Sequence, residues 1–122
     1  MGPYVAHHPD QYRGQHLGVT HQCTDFVKTA SGAPPASLWH KGEAVHGNMT
    51  IAIGTAIACG WDGNIYPSRP HGNHAAIFIS EDSNGIRVID QWLGQRPHER
   101  VIHFRGGNGS ASNDGDKFYV VE

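Results

Sequence analysis

Three side chains in this 122-residue sequence could together perform nucleophilic catalysis. Cys23 supplies a thiol, His74 a base and Asp90 a carboxylate. A thiolate attacks carbonyl carbon, a neighbouring histidine holds the thiol proton, and a carboxylate orients the histidine. Because the three residues lie far apart in the sequence, this chemistry depends on structural elements that bring them together.

Cys23 is expected in the first turn of a helix over about residues 20–31. The apolar residues there recur at the spacing of a single helical face: Val19, Cys23, Phe26, Val27 and Ala30. Thr20 is the expected N-cap, and Gly32 followed by Pro34 ends the helix. The unpaired N–H groups and the dipole of the first turn favour a thiolate at Cys23. An inert thiol that fills the core is the alternative, since free cysteine is often buried.

After residue 50 the apolar period changes from 3.6 to 2, which predicts strands. They are expected around 54–59, at 74–80, at 86–92, at 101–104 and at 117–121. Ser-Asn-Gly at 83–85 joins the second and third of them as a hairpin. One helix followed by short antiparallel strands predicts an α+β domain with the helix packed on one sheet face. The length of 122 residues suits a single domain over 1–122, with an irregular arm at 1–17.

The stretch between the helix and the first strand is expected to be mostly loop. Gly42, Gly47 and Asn48 interrupt any regular pattern there. Trp39 lies in this stretch, where an indole serves either as a packing anchor or as the wall of a cleft. The second cysteine, Cys59, ends an apolar strand with no helix terminus or evident base beside it, so we expect it to be unreactive.

The predicted hairpin tests whether His74 and Asp90 can meet. If Ser80 pairs with Ile86, Asp90 becomes a diagonal neighbour of His74 on the same sheet face. A slip of two residues places them directly opposite, whereas a slip of one residue separates them. Burial of either polar group in an apolar face is unfavourable unless the group is paired. The two residues are therefore either a structural pair in the core or a base with its orienting acid.

Composition excludes several classes of function. Charged residues make up 16% of the chain, and the net charge of −2 is spread without runs of either sign. Nothing in this pattern resembles an electrostatic footprint for nucleic acid or an anionic membrane. No apolar run approaches a membrane span, and the first eight residues lack the charged and apolar regions of a signal peptide. We expect a protein made in the cytoplasm, with no nucleic-acid partner and no membrane insertion.

The ten histidines raise the question of a metal site. His71 and His74 are three residues apart, but Gly-Asn between them and Pro70 before them predict a loop rather than a ligand-bearing helix. Neither Cys-x-x-Cys nor His-Glu-x-x-His occurs. We therefore expect no metal and no other cofactor, with a zinc-dependent hydrolase as the minor alternative.

The order and context of these residues resemble papain-like cysteine hydrolases of the CHAP type (cysteine, histidine-dependent amidohydrolase/peptidase). More narrowly, the chain is similar to small bacterial proteins of this class that are related to the cell-wall amidase effectors of type VI secretion. The resemblance spans nearly the whole chain from about residue 18. In many relatives a glycine precedes the Gln-Cys pair, where this chain has His21. The stretches that carry the resemblance are 21–23 with Phe26-Val27, Gly54–Ala58, Gly72–Ile77, Ile89–Trp92 and Asn113–Tyr119.

This resemblance implies a papain-like α+β fold and amide hydrolysis through a thioester at Cys23. It implies His74 as the base and Asp90 as its orienting acid. Gln22 and the Cys23 N–H are the nearest candidates for the oxyanion site, and Trp92 and Trp39 are the aromatic candidates for substrate contact.

The resemblance also implies the substrate and the setting. The implied substrate is the peptide stem of peptidoglycan, and the implied role is damage to a competitor's wall after delivery to its periplasm. An immunity protein is the implied partner. A peptide- or wall-binding module without catalysis on the same fold is the alternative.

Overall fold

The computed structural model describes residues 3–12, 14, 22–67, 72–92 and 94–122. The helix α1 spans Cys23–Ser31, and short 3-10 turns lie at Pro9–Tyr12, Ala36–Leu38, Ala111–Asn113 and Gly115–Lys117. The strands are β1 Lys41–Ala44, β2 Ala56–Cys59, β3 His74–Glu81, β4 Gly85–Trp92, β5 Gln95–His103 and β6 Tyr119–Val121. Among these residues, no helix is long and apolar enough to cross a membrane.

Within the described residues the six strands form one antiparallel sheet in the order β1-β6-β2-β3-β4-β5. Alternate side chains point to opposite faces, so the sheet separates two apolar clusters. On one face, Phe26 and Val27 of α1 pack against Ile77 and Ile89. On the other face, the cluster includes Phe118, which precedes β6. The predicted α+β arrangement, with a helix on one face of an antiparallel sheet, is confirmed.

The helix begins later than the sequence predicted. Gln22 is the N-cap residue, with extended φ and ψ of −81° and 163°, and Cys23 is the first helical residue. The predicted N-cap, Thr20, lies outside the described residues. The predicted end is confirmed: Gly32 adopts a left-handed φ of 77°, and its N–H donates to the Lys28 carbonyl over 3.0 Å. The Cys23 side chain therefore projects from the first residue of the helix.

The β3–β4 hairpin has the predicted register at the end nearer to His74. Ile77 pairs with Ile89 there. The same register, continued along the strands, makes His74 and Asp90 diagonal neighbours on one sheet face. This part of the prediction is confirmed.

Near the turn the predicted pairing of Ser80 with Ile86 is wrong. Ser80 pairs with Arg87, because the register shifts between Phe78 and Ser80. A bulge of this kind adds one residue to one strand, and alternation in the sequence does not reveal it. The shift is confined to the turn end of the hairpin and leaves the other end in register.

Two edge strands also differ from the sequence prediction. β1 lies in a stretch that the sequence predicted as loop. Its residues are mostly exposed and carry no apolar alternation, so the sequence pattern gave no sign of a strand. β5 begins at Gln95 rather than at residue 101, although it contains Pro97. An edge strand tolerates proline, since a backbone N–H on the outer side of the strand would have no ladder partner and its absence costs no hydrogen bond. The longer β5 brings the side chain of Arg100 alongside β4.

The described part of the N-terminal arm is tied to β2. The backbone N–H of the buried Ala6 donates to the Gly54 carbonyl over 2.7 Å, and Val5 forms a bridge with Thr55. Gly54 has a φ of +99°, and a Cβ there would lie 2.1 Å from the Ala6 carbonyl oxygen. This close approach requires glycine.

We expect Gly54→Ala to lower the free energy of unfolding by several kcal/mol, because it combines left-handed strain with displacement of the arm. Gly47→Ala is the matched control. Gly47 also has a positive φ, +81°, but a Cβ there meets no atom within 4 Å. In the control, only the left-handed strain should lower the free energy of unfolding, by about 1–2 kcal/mol. Urea unfolding measures both losses, and equal values would contradict the role of the Gly54–Ala6 contact.

Candidate active site

The start of α1 is anchored to the strand that carries Asp90. The side-chain amide of Gln91 donates to the Gln22 carbonyl over 3.1 Å. Gln91 points toward the helix face of β4, so its neighbour Asp90 points toward the opposite face. Cys23, at the first helical position, is thereby held close to the sheet end where β3 begins with His74.

His74 and Asp90 form a buried pair on the sheet face that α1 does not cover. His74 Nε2 lies 2.6 Å from Asp90 Oδ2. His74 is 7% exposed and Asp90 is 0% exposed. Because Asp90 holds Nε2, Nδ1 is the ring nitrogen left for the Cys23 thiol, which is a hydrogen-bonding neighbour of His74. The structure thus brings together all three residues that the sequence proposed for catalysis.

The electrostatics of this cluster favour a thiolate–imidazolium pair. Burial opposes ionisation of Cys23, but the hydrogen bond and the charge of His74 outweigh it and lower the pKa of the thiol. Burial likewise opposes protonation of His74, yet the hydrogen bonds with Asp90 and Cys23 raise the pKa of the ring to about 9. These two opposite shifts favour the form in which the proton resides on His74 and the negative charge on Cys23.

Arg100 completes the environment of Asp90, and sequence reasoning missed it. Its Nε lies 2.9 Å and its Nη2 2.8 Å from Asp90 Oδ2. Burial raises the pKa of Asp90, but the hydrogen bonds from His74 and Arg100 dominate and lower it. Arg100 shares a face with Asp90 because β5 extends beyond its predicted start, and a longer predicted strand is the signal that would have found it.

The cluster opens into a groove with two arms. One arm, of about 410 Å³, passes Cys23 and Tyr66. The other runs past Arg100 toward residues 110–113. Both arms are lined by Asn73, His74 and Trp92. Cys23 and His74 therefore lie in the wall of a groove that is open on either side of them.

The residues that the sequence proposed for substrate contact separate into two groups. Gln22 and Trp92 line the groove, and Trp92 is 39% exposed beside the His74 ring, at 6.1 Å between centroids. Trp39 is 1% exposed, and its indole N–H donates to the Pro34 carbonyl over 2.8 Å. Trp39 is a packing anchor in the core, so its assignment to substrate contact is corrected. Tyr66 packs against it and forms the groove wall instead.

The second cysteine lies in a different environment. The Cys59 side chain is fully buried in the cluster on the sheet face away from α1. Burial raises the pKa of the Cys59 thiol to about 12. A thiol with so high a pKa is almost entirely protonated at neutral pH and is a poor nucleophile.

Several histidines outside the cluster have local partners. His46 is hydrogen-bonded to Asp116 and its ring stacks on Phe104, and His40 Nδ1 lies 3.0 Å from the Asn64 amide. In the part of the chain that the structure describes, no three His, Cys, Asp or Glu side chains are grouped so as to hold a metal ion. His71 and His21 lie outside the described residues.

We expect iodoacetamide at about pH 6.5 to modify Cys23 and leave Cys59 untouched. The lowered pKa of Cys23 keeps part of it as thiolate at a pH at which an ordinary cysteine is protonated, whereas the raised pKa of Cys59 keeps that thiol protonated. Peptide mass spectrometry after a timed reaction measures each site. Protein unfolded in urea is the control, in which the two thiols should react at similar rates. Faster modification of Cys59 in the folded protein would contradict the assignment of a reactive thiolate to Cys23.

Comparison with known proteins gives concordant matches over nearly the whole chain. A family model described as domesticated amidase effector 2 matches residues 3–121. The type VI secretion amidase effector 2 protein of Salmonella typhi is 38% identical over 122 residues, which cover 87% of this chain and 88% of that protein. The domesticated amidase effector 2 of Ixodes scapularis is 38% identical over 120 residues, which cover 93% of this chain and 81% of that protein.

A solved structure is similar over the same extent. The structure of a type 6 secretion amidase effector 2 matches with a TM-score of 0.85 at 33% identity, covering 99% of this chain and 95% of that chain. This match agrees with the papain-like α+β fold that the sequence resemblance implied. A family model that spans residues 3–121, two relatives at 38% identity and a closely similar fold lead to one conclusion: the chain belongs to the domesticated amidase effector 2 family, which includes type VI secretion amidase effectors.

Proposed function

We propose that this protein is a cysteine amidase that hydrolyses amide bonds in the peptide stem of bacterial peptidoglycan. The observation that carries the proposal is the position of the Cys23 thiol. It lies at a helix N-terminus in an open groove, beside a histidine whose other ring nitrogen is held by a buried carboxylate. A thiol activated by a base, with the base oriented by a third group, is the arrangement that acyl transfer from an amide needs.

The reaction proceeds through a thioester. The Cys23 thiolate attacks the scissile carbonyl carbon, a C–S bond forms, and the carbonyl electron pair moves to oxygen. N–H groups at the start of α1 stabilise that oxyanion. As the C–N bond breaks, the His74 imidazolium gives its proton to the leaving amine. A water molecule then attacks the thioester while His74 takes its proton, and the thiolate is released.

Asp90 acts through His74 in this mechanism. Its carboxylate fixes the ring orientation through Nε2 and stabilises the imidazolium form. Arg100 keeps that carboxylate ionised and stationary, since a fully buried aspartate needs partners for its charge. The result is a base that stays protonated until the leaving amine takes the proton.

The shape and lining of the groove support a peptide substrate. Its two arms meet at His74, so the chain can continue on both sides of the scissile bond. Polar side chains at Asn73, Ser110, Ser112 and Asn113 provide donors and acceptors for backbone amides. Trp92 provides an apolar surface in the same place.

The names of the Salmonella typhi relative and of the solved structure refer to type VI secretion, and we extend that route to this chain. Peptidoglycan lies outside the cytoplasmic membrane, so the protein acts after delivery into the periplasm of a target cell. A producing cell that receives the same protein from its neighbours needs protection, and an immunity protein is the partner that would supply it.

We expect the chain fused to a secretory signal peptide to lyse or round a Gram-negative host, because export brings it to the wall. The same chain without the signal should be harmless, and exported Cys23→Ala should have no effect. Culture density and microscopy after induction measure the outcome. Lysis by exported Cys23→Ala would favour a wall-binding module instead. Equal toxicity from the cytoplasm would point to an intracellular substrate.

We expect Asp90→Asn to lower kcat on purified peptidoglycan by about 100- to 10,000-fold, because an amide of the same shape cannot stabilise the His74 imidazolium. Chromatography of the released muropeptides measures the rate. Asp62→Asn, which removes the same charge at an exposed position outside the groove, should leave kcat unchanged. Wild-type activity in a folded Asp90→Asn protein would require a different third residue.

A further inference from the structure

The hydroxyl of Tyr66 is a buried polar group that the proposed mechanism leaves unused. Tyr66 is 6% exposed, and its hydroxyl makes no hydrogen bond of normal geometry with any residue that the structure describes. A buried hydroxyl without a partner costs about 1–3 kcal/mol, so its retention calls for an explanation.

The ring that carries this hydroxyl is held firmly. Trp39 packs on one side with ring centroids 5.0 Å apart, and Trp61 meets the ring edge-on at 5.5 Å. Both indole N–H groups donate elsewhere, to the carbonyls of Pro34 and Ala58. These contacts set the position of the Tyr66 ring and do not satisfy its hydroxyl.

The hydroxyl lies beside the reactive sulfur. Tyr66 lines the same arm of the groove as Cys23 and His74. Burial first, then the charges of the neighbouring Cys23 and Cys59 sulfurs and the contact of the hydroxyl with the Cys23 sulfur, raise the pKa of Tyr66 above its usual range. The group therefore keeps its proton at any pH at which the Cys23 thiolate works, and it remains a neutral O–H donor.

We propose that the Tyr66 hydroxyl is a catalytic oxyanion donor, which binds the carbonyl oxygen of the scissile amide when Cys23 Sγ attacks. This inference rests on the cysteine amidase function proposed above. The C–S bond forms, the carbonyl electron pair moves to oxygen, and the Tyr66 O–H donates a hydrogen bond to that oxygen without giving up its proton. When the C–N bond breaks, the carbonyl re-forms and the hydrogen bond weakens.

In the free protein the hydroxyl lies near the Cys23 sulfur without a hydrogen bond of normal geometry, and this is what makes it useful for catalysis. A donor that is already satisfied gains little when the oxyanion forms, whereas Tyr66 gains a full hydrogen bond at that moment. Its burial also strengthens the interaction relative to a solvated donor. The exposed Gln22, which the sequence suggested for this site, lies at the groove surface and lacks that advantage.

The test compares two reactions of the same thiolate. Alkylation by iodoacetamide occurs at a CH₂ carbon and generates no oxyanion, whereas amide hydrolysis does. We expect Tyr66→Phe to lower kcat on soluble muropeptides about 100- to 1,000-fold with little change in KM. Its rate of Cys23 alkylation and the pH dependence of that rate should match those of the wild type. Tyr119→Phe, which removes a hydroxyl from β6 outside the groove, is the control and should keep wild-type values in both reactions.

The outcomes are distinct. Unchanged kcat in Tyr66→Phe would overturn the inference while leaving the amidase function intact. An alkylation profile displaced to higher pH would also overturn it, because the hydroxyl would then serve the thiolate. Hydrolysis by Cys23→Ala would instead refute the proposed function itself.

A second measurement uses the unmutated protein and so does not depend on the folding of a variant. A short peptide aldehyde forms a hemithioacetal with a catalytic cysteine, and its oxygen occupies the oxyanion position. Tyrosine labelled with ¹³C at Cζ should then show a shifted Tyr66 resonance on binding. An unshifted resonance in the inhibited protein would count against the inference.

Discussion

The site depends on one buried carboxylate. Asp90 is excluded from solvent and is shared by His74 Nε2, at 2.6 Å, and by the Arg100 guanidinium, at 2.8 and 2.9 Å. An unpaired charge in that position would cost several kcal/mol, so both partners are required for the fold as well as for the site. Its charge favours the imidazolium of His74, which in turn favours the thiolate of Cys23. The electrostatic effect thus passes from β5 to the start of α1.

The location of the site follows from the two faces of the sheet. His74 and Asp90 belong to the face opposite α1, while Cys23 belongs to the helix. Residues on opposite sides of a sheet meet only where the sheet ends, and the start of β3 is such a place. A position at the ends of the strands also leaves room for an open groove. The family to which the chain belongs contains amidase effectors, and a groove that admits a polymeric substrate from both directions is consistent with that membership.

Local patterns in the sequence determined the parts of the site that depend on neighbours along the chain. The apolar spacing around Phe26 and the Gly32 stop placed Cys23 in the first turn of a helix, since helical periodicity is a local property. Alternation along the hairpin placed His74 and Asp90 on one face, because side chains in strands alternate with a period of two. The resemblance to papain-like amidases, carried by those same stretches, supplied the fold class and the family.

The tertiary structure decided what local patterns cannot encode. Arg100 reaches Asp90 because β5 begins before residue 101 and pairs with β4 at Val88. Trp39 is a core residue, and Tyr66 lines the groove wall instead. The bulge in the hairpin had no signal in the alternation of apolar residues. Each of these outcomes depends on packing between segments distant in sequence. Periodicity tells which face a side chain occupies, but the partners on that face are set by how the segments pack together.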